Sequence, residues 1–306
     1  MYPNTSQSNT RIKGGLLALP PDSRDFALGA LFSHAKVSEV PEHSFIVATP
    51  LFMKNQKDSD LCTGYTITSV SEDQEGLELS PHFQFAMTKK KKGSIDEWGA
   101  DLRTACKSAT DPGSIPHNEA LKYLKEKGIN PENRDEVANW ENWSPSLSSL
   151  ANKYRKQSFF SLENINAKDT FDKIRVALWT HRLERRTIAV GALWRESWTN
   201  ARMGVIPTQY EEQGFGHAFK IFGQKLIDGE MHLMAQLSNG TDIGDYGIFY
   251  FPRVVVNREF NYGQFMFKDI DPDQAKDYMK RGIKFDDSFL VQIIKLFLGK
   301  IGLWHH

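Results

Sequence analysis

The chain has 306 residues, with 38 basic and 38 acidic side chains, 40% hydrophobic residues and 12% aromatics. That length supports one large domain or two fused lobes with real cores, and the composition excludes a disordered chain. A net charge of zero gives no support to an extended nucleic-acid grip, and two cysteines, Cys62 and Cys106, exclude a multi-bridge disulfide framework and a four-cysteine zinc site.

The first 15 residues are polar and lack the apolar core of a secretion signal. No stretch reaches the ~18 uninterrupted apolar residues of a membrane span. A Pro-rich connector follows, from Leu19-Pro20-Pro21 to Pro41 and Pro50. A helix is predicted from near Cys62 to Glu75. A second opens at Ser80-Pro81, where serine suits the N-cap and proline the first helical position. Lys89 to Lys92 form a basic run, read as a solvated face. The segment Asn118 to Lys127 is a third helix, closed by Gly128. Trp140 and Trp143 are read as anchors of a lobe-spanning loop. A fourth helix runs from Asp169 to His181.

The second half changes character. Thr187 to Trp194, His217 to Phe222, Glu230 to Leu237 and Gly247 to Phe251 read as strands, punctuated by glycines. A helix-rich first lobe and a strand-rich second lobe predict an α+β protein with a cleft between them. Residues 268 to 287 return to polar, turn-prone composition. Beyond them Phe289, Leu290, Ile293, Ile294, Phe297, Leu298 and Ile301 form one apolar helical stripe, expected to be covered by this chain, by a protein partner or by a second copy.

Cys62 follows Gln56-Lys-Asp-Ser-Asp-Leu at the predicted start of a helix, where dipole and free N–H groups favour a thiolate. A thiolate nucleophile needs an imidazole partner and donors for a developing oxyanion. His217, flanked by Gly216 and opening a strand, is the candidate imidazole; the amide of Gln56 and the N–H of Cys62 are candidate donors. Cys106 is read as a reduced packing residue. The remaining histidines show no metal-binding spacing, no phosphate loop occurs, and no cofactor is called for.

In order, Gln56…Cys62, Leu79-Ser80-Pro81-His82, Asn118-Glu-Ala-Leu-Lys-Tyr…Gly128-Ile129, Gly216-His217-Ala218…Gly223 and Ser238…Gly240…Gly244…Gly247 resemble the papain family of cysteine peptidases, of bacterial or phage type, over roughly residues 45 to 260. The resemblance implies a helical left lobe and an antiparallel, β-barrel-like right lobe flanking a cleft. It implies an N-terminal extension over 1–44, a peptidase domain over 45–267, and a linker and amphipathic helix over 268–306. Cys62, His217, Gln56 and Asn239 would be catalytic, and Gly113 and Gly216 would bind a peptide or protein substrate. Four departures stand out. The family's orienting asparagine falls on Leu237, leaving Asn239, two residues on and on the same face, as the substitute acceptor. The Gly-rich substrate loop is replaced by Thr110 to Pro116. Ser59 replaces a family cysteine, so the usual left-lobe disulfide cannot form, which suits an intracellular or virion-associated protein. The long helical inhibitory propeptide is missing, so zymogen control of that kind is not expected. The competing reading is a catalytically inactive papain-like scaffold with a binding or structural role.

Overall fold

The structure, a computed structural model, describes Ile12, residues 14–18, Asp22 and residues 25–281. It is organised around the helix Cys62–Glu75, whose first twelve residues are all buried. Its sequence is not amphipathic: Thr63, Thr66, Thr68, Ser69, Ser71, Glu72 and Asp73 are buried alongside Ile67 and Val70. A helix hidden on every side lies between packed layers, and here those layers are the two lobes.

On one side the helices Pro81–Lys92, Leu102–Thr110 and His117–Lys127 form the first lobe. Its core joins Leu61, Tyr65, Phe83, Phe85, Leu124 and Trp143. The Ser80 hydroxyl accepts from the Phe83 N–H, and Pro81 takes the first helical position, as the sequence suggests. Gly128 closes the third helix at φ +67°. Trp143 spans no lobes. It stacks on Tyr123 and meets Phe83 edge-on inside this core.

On the other side an eight-stranded sheet curls over the larger core. Its order is Phe26–Ala27, Ser158–Ser161, Gln264–Lys268, Ile188–Trp194, Phe215–Ile227, Glu230–Gln236 and Ile248–Pro252, with Phe45–Ile46 paired onto Phe215–Ile227. All pairs are antiparallel except the first. Among the described residues the sheet does not close into a barrel, which corrects the barrel-like expectation. Its first strand is only two residues long, and helix Arg253–Glu259 follows directly on the last strand and turns the chain away. Four of the eight strands, Phe26–Ala27, Phe45–Ile46, Ser158–Ser161 and Gln264–Lys268, escape the sequence reading.

The presumed linker also differs. Pro272–Arg281 is helical, packs near Leu28–Leu31, and buries Ala275 in the large core. The amphipathic stripe from Phe289 to Ile301 lies outside the described residues. The N-terminal extension is not separate either, since Ile12, Leu28, Leu31 and Phe32 belong to the same core.

A buried ion pair ties the central helix to the sheet. Lys220 Nζ lies 2.9 Å from Asp73, and the Thr187 hydroxyl donates to the other carboxylate oxygen at 2.6 Å. Burial pushes Asp73 up and Lys220 down, each opposed by its partner's charge. Removing one partner strands a charge in the interior, so Lys220→Met is expected to lower unfolding free energy by about 3–5 kcal/mol. Asp73→Leu with Lys220→Met should recover most of it in a urea titration. A loss confined to a few tenths would show that the pair is not a structural clamp.

Candidate active site

Residues 54–56 are stitched to residues 238–240. Asn55 and Asn239 form an antiparallel bridge, the Gln56 N–H donates to the Ser238 carbonyl at 2.6 Å, and the Gly240 N–H donates to the Lys54 carbonyl at 2.9 Å. The Gln56 side chain is buried here. Its Oε1 accepts from the Ser238 hydroxyl at 2.6 Å, and its Nε2 donates to the Ser59 carbonyl at 2.8 Å. Gln56 is thus locked into the loop that leads to Cys62, with its amide N–H turned to that loop's own carbonyl.

Cys62 opens the central helix and is fully buried. The backbone N–H groups of Ala218, Gly15 and Thr63 lie near its sulfur, and each favours the thiolate. Burial outweighs them and pushes the thiol up to about 12. The helix N-terminus alone favours the opposite; desolvation wins because the sulfur is fully buried.

His217 stands beside Ala218 on strand Phe215–Ile227, and the alternation of that strand decides where its ring lies. Ala218 joins Cys62 in the interlobe core, whereas Phe219 and Ile221 join the sheet's large core. The His217 ring lies with the latter set, 5.7 Å from Trp194 and 6.3 Å from Phe219 between centroids. It is fully buried, and that burial holds its pKa near 4. Neither ring nitrogen has a hydrogen-bond partner, so no thiol–imidazole bond exists in this state. The Asn239 side chain approaches closely enough to favour the imidazolium, but its Oδ1 is buried without a formed bond. Leu237 is 1% exposed in the large core and offers the ring only apolar contact.

What covers Cys62 is the chain itself. Residues Gly14 to Leu17 cross the cleft as a strap, and Leu16–Leu17 pair in parallel with Ala100–Asp101. The Ala100 N–H donates to the Gly15 carbonyl at 2.8 Å, and Trp98 Nε1 donates to the Gly14 carbonyl at 2.8 Å. Leu16 is buried in one apolar cluster with Cys62, Ala218 and Phe265. Inhibitory segments of the long helical kind are therefore not needed to fill this cleft. Of the two glycines expected to bind substrate, Gly216 faces the Leu16 carbonyl in the cleft. Gly113 does not; it abuts the backbone of Ala151 and Arg155, because the turn after helix Leu102–Thr110 folds away from the cleft.

The segment in contact with the strap is instead Trp98-Gly99-Ala100, and three charged residues hold it. Lys89, read from sequence as solvated, is fully buried; its Nζ donates to the Gly99 carbonyl at 2.8 Å and to the Glu97 carbonyl, and burial lowers it to about 8. The buried Asp60 carboxylate accepts from the Gly99 N–H. Arg134 grips that carboxylate through Nε and Nη2, both at 2.9 Å, and reaches the Glu97 carbonyl at 3.0 Å. The sequence signal for this wall was slight: one glycine after a tryptophan, and one aspartate two residues before a cysteine. A cavity of about 520 Å³ lies behind the Gln56–Ser59 loop, walled by Tyr65, His82, His117 and Glu78, but neither Cys62 nor His217 lines it.

Comparison with known proteins places this geometry. No family model matches the chain, and no curated protein sequence does. Solved structures do match. Xylellain, a cysteine protease from Xylella fastidiosa, superposes with a TM-score of 0.66 at 17% identity, covering 85% of this chain and 98% of that one. The chain has a papain-like fold. ProCathepsin B S9 from Trypanosoma congolense gives 0.57 at 16% identity over 83% and 86% of the two chains. Digestive procathepsin L 3 of Tenebrio molitor larval midgut gives 0.54 at 13% over 79% and 75%.

The buried imidazole of this papain-like chain makes its stability depend on pH. The His217 pKa is depressed when folded, so the unfolded chain takes up a proton that the folded chain refuses between pH 6.5 and about 4. Stability is fully present above that window and falls as pH drops through it. From pH 7 to 4.5 the His217 share of the loss is about 2–3 kcal/mol. His82, also held near 4 by burial, adds in the same direction. Urea titrations of wild type and His217→Phe should show that much less acid sensitivity in the variant; equal slopes would mean that the imidazole is not buried neutral.

Proposed function

We propose that the chain is a cysteine peptidase held closed by its own strap. The observation that carries this reading is convergence. Cys62, the strand bearing His217, and the Gln56–Ser238–Asn239 junction come from three distant segments and meet under a peptide already lying in the cleft. The solved structures that share the fold include cysteine proteases by name. Among the described residues no helix is long and apolar enough to cross a membrane.

Once the strap leaves, water reaches the sulfur and the desolvation that holds the thiol protonated falls. His217 takes the thiol proton, and the Cys62 sulfur attacks a peptide carbonyl carbon. The Cys62 N–H and the Gln56 amide hold the oxyanion. The C–N bond breaks as the imidazolium gives its proton to the leaving amine, and water then releases the acyl group from sulfur. Asn239, whose Oδ1 is an orphaned acceptor beside an orphaned imidazole, fixes the ring. Leu237 has no part in this; adding an amide at that apolar position would bury a polar group without a partner.

The uncharged thiol and the unbonded imidazole favour a second reading, an inactive scaffold that keeps the residues but not the pairing. Turnover separates them. In the full chain carrying Gly15→Ala to loosen the strap, hydrolysis of an unstructured protein substrate is expected, and Cys62→Ser should abolish it. Gln56→Ala should lower kcat by about 10² to 10³, and Asn239→Ala should lower it with a changed pH profile. No hydrolysis from a folded, strap-loosened chain, or hydrolysis indifferent to Cys62, would establish the scaffold.

A further inference from the structure

The strap reports the shape of the groove it fills. At Gly15 an added Cβ would overlap the Asp60 carbonyl group and stand 2.6 Å from the Asp60 Cα. At Gly14 it would overlap the Gly216 carbonyl oxygen and the Phe215 ring. The opposing walls are glycines for the same reason: a Cβ on Gly99 would strike the Gly15 main chain, and one on Gly216 would strike the Leu16 carbonyl. These obstacles are main chain, which no rotamer change removes. Asp60 is pinned through its side chain by Arg134 and Gly99, and Gly216 lies in register with Leu193 in the sheet.

We propose that the Cys62 cleft selects a Gly-Gly pair. Its substrates are extended peptides or unfolded protein segments with two consecutive glycines between the Asp60 and Gly216 carbonyls and an apolar residue next to them. The inference rests on the peptidase reading for turnover, but the groove's shape stands apart from it. Any chain that presents a carbonyl to Cys62 must occupy the volume that Gly15 and Leu16 now fill beside it. The steric limit acts on side-chain positions of a chain that runs in the strap's direction. The polar contacts suit such a ligand, since the Ala100 N–H and the Trp98 indole N–H take up main-chain carbonyls and need no side chain. The third position is set by the Leu16 seat among Ala189, Ala218 and Phe265, where Gly191 leaves room for the leucine methyl.

The test uses the full chain with Gly15→Ala, or Leu16→Asp if the first variant leaves the strap in place. Four peptides carrying the sequence of residues 11–18 with Gly-Gly, Ala-Gly, Gly-Ala or Ala-Ala at the pair are offered as substrates. Cleavage of the Gly-Gly peptide is expected, with kcat/KM about 100-fold above each alanine peptide. Equal rates across the four would overturn the proposal. The same peptides are then tested as protectors of Cys62 against iodoacetamide. Protection by Gly-Gly alone, without cleavage, supports the groove while the peptidase reading fails. Protection by all four alike, or by none, overturns it.

Discussion

The whole structure hangs on one buried helix. Cys62–Glu75 lies between two lobes with polar side chains on nearly every face, and a polar group in such a place must be met or neutralised. Asp73 is met by Lys220 and Thr187, and Glu72 by Lys54 and the Leu79 N–H. These contacts fix the helix against both lobes, and with it the position of its first residue. Cys62 is therefore placed by interactions made up to three turns away, and Ala218 lies against its sulfur because Lys220 lies against Asp73.

The same burial that places Cys62 disarms it. A helix N-terminus and three N–H groups would ordinarily lower a thiol pKa, and an adjacent histidine would ordinarily accept its proton. In this state neither happens, because the sulfur and the ring are each fully buried and desolvation penalises both charged forms. The resting state is a neutral thiol in the interlobe core and a neutral imidazole in the core of the sheet. On the proposed peptidase reading, closure and catalysis differ in whether residues Gly14 to Leu17 lie over Cys62.

What could be read from sequence was local. Ser80-Pro81 and Gly128 announce helix ends through chemistry within a few residues, and the structure has those ends. The helix from Cys62 and the strands around His217 and Glu230 follow from pattern and spacing. The papain-like fold was legible because five short motifs keep their order. What failed was long-range. Nothing near Gly14-Gly15 reveals that the Asp60 and Gly216 carbonyls face it, and nothing in a four-lysine run marks Lys89 as the buried one. Gly113 was singled out by the family resemblance, while the glycine that lies against the strap, Gly99, sat in an unremarked turn. Asn239 was legible as a polar residue on the face left empty by Leu237, but its unformed bond to the ring depends on packing that spacing does not encode.

The central claim is that Gly14 to Leu17 closes the cleft over a competent nucleophile. The most direct test is the rate at which a small thiol reagent modifies Cys62 in the native full chain and in its Gly15→Ala form, read by mass spectrometry with buried Cys106 as internal control. Closure predicts that wild-type Cys62 reacts as slowly as Cys106. It predicts that Cys62 alone reacts at least about tenfold faster in the variant, the effect of ~1.4 kcal/mol taken from strap binding. A Cys62 in wild type that reacts at the rate of an exposed thiol, or one unmoved by the substitution, would contradict it.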